Sequence, residues 1–113
     1  MINAKEELLR YLEETKSTIK CATISAGESH WYFDQYTKAL SCVELKQGYT
    51  QEQYEQFLTL LDFDYDNGFG GQQIHGTVWL MQEETWLERG EYDGSEWWEY
   101  RKCPKVPDNL KAE

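Results

Sequence analysis

The hydrophobic positions of the N-terminal part of the chain change from helical spacing to strand spacing. Leucines recur every three to four positions over residues 4–16, and Asn3 with Glu6 forms a variant of the capping box, so an amphipathic helix is predicted there. Three strands are predicted next, within residues 17–26, 31–36 and 38–46. In the third, the adjacent apolar residues Cys42 and Val43 break the alternation, which predicts a bulge or a strand buried on both faces.

The second half of the chain contains one further helix and then a meander. The sequence Thr50-Gln51-Glu52-Gln53 is a capping box, and an apolar stripe at helical spacing follows it at Tyr54, Phe57, Leu58 and Leu61. Three strands are predicted over Ile74–Met81, Thr85–Tyr92 and Ser95–Lys102, with an Asp93-Gly94 hairpin turn between the last two.

These elements predict an α+β fold in a single domain spanning residues 1–113. The expected architecture is an antiparallel sheet of about five strands with two amphipathic helices packed on one face, in the order α-β-β-β-α-β-β-β. Pro104 and Pro107 stop strand pairing, so residues 103–113 are predicted to form an irregular tail. The 17 aromatic residues supply enough large side chains for a core and exclude a disordered chain.

Charge and composition restrict the classes of partner. The 21 acidic residues outnumber the 11 basic ones, giving a formal net charge of −10, which disfavours direct binding to nucleic acid or to an anionic membrane. The chain has no apolar segment of membrane-spanning length and no signal-peptide core. An odd number of cysteines, Cys21, Cys42 and Cys103, favours free thiols in a reducing compartment, and a cytoplasmic protein is therefore expected.

The acidic residues are concentrated in the middle of the chain. Residues 44–99 hold 13 acids against only two bases, Lys46 and Arg89. One interpretation is a solvated acidic surface that keeps a small protein soluble; the uneven distribution favours the other, an acidic face that binds a partner. The acids expected on that face are Asp62, Asp64, Asp66, Glu83, Glu84, Glu88, Glu91, Asp93, Glu96 and Glu99.

Aromatic residues crowd the same region and are expected to anchor a partner. Consecutive Trp97 and Trp98 on a strand must point to opposite faces, so at least one of them leaves the face packed against the helices. The aromatic residues predicted to contact a partner are Phe69, Trp86, Tyr92, Trp97 and Trp98. The alternative is that these rings form a large core that closes a thin sheet.

Catalytic and metal sites are not supported by the motifs. The run Asp62–Gly68 resembles the start of an EF-hand, but Asn67 and Gln73 stand where the loop needs its glycine and its bidentate glutamate. The histidines and cysteines show no zinc-ligand spacing; Cys21 and Cys42 are expected to be buried, and Cys103 exposed. Close carboxylates among so many acids are expected by chance. We therefore expect no enzymatic activity, no cofactor and no metal.

The C-terminal forty residues carry a resemblance. The segments Gly76–Leu80, Thr85–Arg89 and Glu91–Trp98 resemble small acidic accessory proteins encoded by tailed bacteriophages. The resemblance implies a context, since many such proteins are inhibitors that bind host enzymes or defence complexes, and it assigns no site residue. A phage-encoded protein would act in the host cytoplasm.

Three functional hypotheses follow. The first is a non-enzymatic binding protein whose acidic face occupies a basic, nucleic-acid-binding surface of a host enzyme or defence complex, as a possible nucleic-acid mimic. The second is an immunity protein that neutralises a nuclease toxin by binding the basic surface of the toxin with the same acidic face. The third is a small-molecule binder in which the aromatic residues stack a sugar or a nucleobase. Dimerisation is compatible with each of them.

Overall fold

The computed structural model describes residues 1–26, 41–68, 71–104 and 107–110, and its elements follow the predicted order closely. In chain order they are β1 (Ile2–Asn3), α1 (Ala4–Thr15), β2 (Ile19–Ala26), β3 (Ser41–Leu45), α2 (Gln51–Leu60), β4 (Asp64–Tyr65), β5 (Ile74–Leu80), β6 (Thr85–Tyr92) and β7 (Ser95–Lys102), before a 3₁₀ turn at Asp108–Leu110. The strand predicted within residues 31–36 lies outside the described residues. Neither α1 nor α2 is long and apolar enough to cross a membrane.

The helices begin where their capping residues predict. The Asn3 side chain accepts the Glu6 N–H at 3.0 Å and starts α1, which ends at Lys16 in a left-handed conformation with φ 53°. At α2, Thr50 and Gln53 form the complete reciprocal capping box. Local hydrogen bonding therefore fixes both helix starts.

A five-stranded antiparallel sheet in the order β3-β2-β5-β6-β7 forms the body of the molecule, which confirms the predicted α+β class. The β6–β7 hairpin turns at Asp93 and Gly94, whose φ values of 51° and 87° are those of a type I′ turn. A second, two-stranded sheet pairs β1 with β4.

The core lies between one face of the sheet and both helices. Inward-facing strand residues such as Val78 and Leu87 are fully buried in one cluster with Leu8 of α1 and Phe57 of α2. We call this side of the sheet the inner face and the opposite side the outer face. Because side chains alternate along a strand, the inner residues of each strand determine which residues lie on the outer face.

Strand β3 alternates regularly, and the prediction of a bulge or of burial on both faces is wrong. Its register with β2 is continuous from Ser41 to Leu45, with Val43 buried and Cys42 exposed. Cys42 therefore belongs to the outer face, where a thiol tolerates solvent, and is not the buried residue that was expected. Cys21 is half-buried and Cys103 is exposed.

Candidate partner-binding surface

The outer face presents side chains in rows that run across the strands, because residues paired in an antiparallel register lie on the same face. One row, the aromatic row, consists of Cys21, Trp79, Trp86 and Arg101. The next, the carboxylate row, consists of Glu44, Thr23, Thr77, Glu88 and Glu99. A third contains Cys42, Ser25 and His75, with Gly90 and Trp97 opposite each other on β6 and β7.

Three tryptophans from three neighbouring strands therefore lie on the face that the helices do not cover. Trp79 is 42% exposed, while Trp86 and Trp97 are half-buried. The indole of Trp97 lies across Gly90, where an added Cβ would come within 2.6 Å of Nε1, so the absence of a side chain at Gly90 makes room for the ring. Tyr92 extends into solvent near the end of the hairpin and is 77% exposed.

The carboxylates of Glu88 and Glu99 are directly opposite each other on this face. Arg101 bridges them, with Nε 2.7 Å from Glu88 Oε1 and Nη2 2.5 Å from Glu99 Oε2, and Trp97 Nε1 donates to Glu99 Oε1 at 3.0 Å. These groups are partly solvated, so the ion pairs hold the side chains in place and contribute little to stability. The arrangement orients two carboxylates and one indole toward the same side of the sheet.

A shallow hollow of about 210 Å³ lies beside Trp79 and is lined by Lys20, Cys21 and Gln47. Pockets that enclose a small-molecule ligand usually have volumes of about 300–1,000 Å³. The hollow is therefore better suited to a single side chain or ring than to an enclosed ligand.

The remaining acids of the hairpin are found at its two ends. Glu83 and Glu84 lie in the exposed β5–β6 turn, and Glu91 and Asp93 are exposed at the β6–β7 turn. Strand β6 spans roughly 25 Å at about 3.3 Å per residue, so carboxylates occur at both ends and in the middle of the hairpin. Arg101 and Lys102 lie near the β5–β6 end, so the hairpin carries both signs of charge with acids in excess.

The aspartates that were expected to form a strand row lie on the helix side of the sheet. Only Asp64 falls in a strand, and Asn3 Nδ2 donates to Asp62 at 2.9 Å and to Asp64 at 3.2 Å. The hydrogen bond from Asn3, followed by attraction to Lys5, lowers the pKa of Asp62. Asp66 accepts the N–H of Gly68 at 3.0 Å in a local turn. The aspartates hold the start of α1 and the following turn, and they do not extend the carboxylate row.

Two residues predicted at the partner surface, Glu96 and Trp98, are buried, each being only 2% exposed. Both lie on the inner face, because they alternate with Trp97 along β7. Glu96 Oε1 accepts the N–H of Ile74 at 3.0 Å, and Arg89 Nη2 lies 2.7 Å from the same oxygen. Phe69, also predicted at the surface, lies outside the described residues.

Arg89 connects Glu96 to a second buried carboxylate. Its Nη1 is 3.1 Å from Glu7 Oε1, its Nη2 donates to the Tyr65 hydroxyl at 2.9 Å, and that hydroxyl donates to Glu7. The guanidinium also lies over the Trp98 ring, 4.8 Å from its centroid. We call Glu7, Tyr65, Arg89 and Glu96 the buried network.

Electrostatics explain how the buried network tolerates its charges. Burial disfavours the charged form of Arg89, but attraction to Glu7 and hydrogen bonds with Glu96 and Tyr65 outweigh it, so its pKa is raised. Burial, followed by the hydrogen bond to Glu7, raises the pKa of Tyr65. The side chains of Glu7 and Glu96 are at most 1% exposed, so the buried network is closed to a partner. Its residues join α1, β4, β6 and β7.

Sequence reasoning missed Trp79, Glu44 and Arg101 as members of the outer face. The available signal was cross-strand register: Trp79 is directly opposite Trp86, and Arg101 is opposite Trp86 on its other side. Among the described residues, no group of three or more histidine, cysteine or acidic side chains is placed to hold a metal ion.

Comparison with protein-family models, with characterised proteins and with solved structures finds nothing that matches this chain.

Proposed function

We propose that this protein is a non-enzymatic binding protein that engages a basic protein surface through the outer face of its sheet. The observation that supports this most directly is the outward placement of Trp79, Trp86 and Trp97 beside the carboxylate row. Tryptophan anchors the centres of protein interfaces more often than most residues do, and acids around it select a basic partner.

The charge of the protein supports a basic partner. The net charge is −10, and two of the bases on the hairpin are already paired, Arg89 within the buried network and Arg101 with Glu88 and Glu99. The hairpin thus offers carboxylates over a length of roughly 25 Å. Surfaces that bind nucleic acid carry complementary basic charge, so the nucleic-acid channel of a host enzyme or defence complex is the class of partner that we propose.

A phage inhibitor and an immunity protein would use this surface in the same way. Gene neighbourhood distinguishes them, since an immunity protein is encoded beside its toxin. The small size of the hollow beside Trp79 favours insertion of a partner side chain over an enclosed sugar or nucleobase.

The test is affinity capture from the cytoplasm of the cell that carries the gene, with the purified protein immobilised and the captured proteins identified by mass spectrometry. We expect one basic protein to be captured by the wild type, released by high salt, and lost with Trp79→Ala. Leu110→Ala is the matched control, because Leu110 is also exposed but lies in the C-terminal 3₁₀ turn.

Capture that is independent of salt, or that Trp79→Ala leaves unchanged while the fold is intact by circular dichroism, would contradict the proposal. Capture of an acidic protein would contradict it as well, because the carboxylate row would repel such a partner.

A further inference from the structure

Strand β3 is one edge of the five-stranded sheet and pairs only with β2 in the described part of the chain. An edge strand presents unpaired N–H and C=O groups, which are a template for another strand. Whether β3 can accept a strand depends on which of its main-chain groups point outward and on whether they are accessible.

Hydrogen bonds at the opposite edge establish the direction of these groups. On β7, the N–H of Cys103 donates to Glu84 beyond the end of β6, while the N–H of Glu96 donates to Asn67, outside the five-stranded sheet. The main-chain N–H and C=O groups of odd-numbered β7 residues therefore point toward β6, and those of even-numbered residues point away from the sheet. Hydrogen-bonded and non-hydrogen-bonded pairs alternate along each antiparallel ladder, so the same pattern can be followed from strand to strand as far as β3. There, the main-chain N–H and C=O groups of Val43 point toward β2.

Glu44 and Lys46 consequently direct their main-chain N–H and C=O groups away from the sheet. Both residues are exposed, and β2 is the strand that pairs with β3 in the described part of the chain. The β7 edge differs, because Trp98, whose main-chain groups also point outward, is only 2% exposed and is therefore covered. Among the residues that the structure describes, the accessible edge is therefore β3.

The sequence of this edge is complementary to itself in one antiparallel register. When a two-fold axis passes through Leu45, the last residue of β3, Glu44 of each copy lies opposite Lys46 of the other, and the paired segment covers residues 44–46 of each chain before the turn at Gln47 and Gly48. Opposite charges in directly paired positions stabilise a sheet, whereas like charges destabilise it. A register centred on Glu44 would place Glu44 opposite Glu44, and one centred on Val43 would place Glu44 opposite Cys42 without an ion pair, so charge favours the register centred on Leu45.

The inner side of the same edge has a groove of mixed polarity. Leu45 borders a groove of about 440 Å³ between β3 and α2, which is also lined by Gln53, Gln56, Phe57 and Leu60. These four helix positions follow i, i+3, i+4, i+7 spacing and form one face of α2. Leu60 is 55% exposed and is the apolar side chain of this groove that a second copy could cover.

From these observations we infer that two copies of this chain dimerise edge to edge where β3 ends, with Glu44 of each copy opposite Lys46 of the other, so that residues 44–46 join the two five-stranded sheets. This goes beyond the proposed function and does not depend on it. Two-fold symmetric pairing of this kind is the commonest way in which soluble proteins form closed oligomers.

The experiment measures the mass in solution by sedimentation equilibrium over a series of concentrations. The wild type is expected to form a dimer. Glu44→Lys and Lys46→Glu each place like charges opposite one another at both pairs, and each alone is expected to weaken the dimer by about tenfold or more.

Charge swapping makes the test specific to the register. An equimolar mixture of Glu44→Lys and Lys46→Glu is expected to form a heterodimer, since both pairs are then complementary, and the double variant Glu44→Lys/Lys46→Glu is expected to recover the homodimer. Glu83→Lys and Lys102→Glu are matched controls, because both residues are exposed but lie away from β3.

A wild type that stays monomeric at every concentration would overturn the inference. So would a dimer that resists both single charge reversals, a dimer lost with Trp79→Ala instead, or folded single variants that fail to associate when mixed. Failure here leaves the affinity capture by the outer face unaffected, so the two proposals are separately testable.

Discussion

Replacing Arg89 with methionine tests whether the buried network is desolvated, as the structure indicates. The side chains of Arg89 and Glu7 are 2% and 1% exposed, and that of Glu96 is 0% exposed. Methionine keeps much of the apolar stem of the arginine and removes only its charge and its hydrogen bonds. The variant leaves two carboxylates in the core without their cation.

The expected destabilisation is large. Removing one partner of a buried ion pair costs about 3–5 kcal/mol, because the remaining charge is left uncompensated. With an unfolding entropy of about 2.1 cal/mol/K per residue, this corresponds to a fall in Tm of about 12–20 °C for a chain of 113 residues. The hydrogen bonds from the Ile74 N–H to Glu96 and from the Tyr65 hydroxyl to Glu7 remain in the variant, so part of the buried network is kept.

The assay is urea denaturation followed by circular dichroism, with Arg101→Met as the matched control. Arg101 also contacts two carboxylates, but its side chain is 52% exposed, so its replacement is expected to cost about 0–1 kcal/mol. Equal effects of the two substitutions on the urea midpoint would refute the reasoning.

Three further predictions concern the backbone and the ionisable groups. Gly76→Ala should cost about 3 kcal/mol or more, because φ is +151° and the new Cβ would lie 2.3 Å from the Thr23 carbonyl oxygen; a loss of stability below about 0.5 kcal/mol in urea denaturation would contradict this. The hydrogen bond from Asn3 lowers the pKa of Asp62, so the ionised Asp62 carboxylate stabilises the fold above its ordinary pKa of 3.8, and this stabilisation is lost as pH falls through the pKa of the folded state. The urea midpoints of the wild type and of Asp62→Asn should therefore differ at neutral pH and converge in acid. The raised pKa of Tyr65 gives the opposite sign: above its ordinary pKa of 10.0 the wild type should lose about 1.4 kcal/mol per pH unit more than Tyr65→Phe, and parallel alkaline profiles would disprove it.

Local features of the sequence were sufficient to predict most elements of the fold. The capping residues Asn3 and Thr50 determine where the helices start through hydrogen bonds that span only three residues. The Asp93-Gly94 turn requires positive φ values that few other residue pairs adopt readily, so the hairpin and its register follow from sequence. Alternation along β7 placed Trp97 and Trp98 on opposite faces, as expected.

The assignment of charged residues to surface or core required the tertiary structure. Glu96 and Glu99 are the same residue type on the same strand, yet one is buried beside Arg89 and the other is oriented by Arg101 on the outer face. Burial of a carboxylate becomes tolerable only when a cation from a distant segment is available, and sequence spacing does not encode that distance.

The sequence by itself therefore determined the helix starts, the hairpin, the alternation of faces and the excess of acid, since each depends on neighbours a few residues apart or on composition. The tertiary structure decided which acids form the carboxylate row, which are paired with Arg89 in the buried network, and which strand edge remains accessible. These properties depend on pairing between strands that are far apart in the chain, where only packing and register bring the groups together.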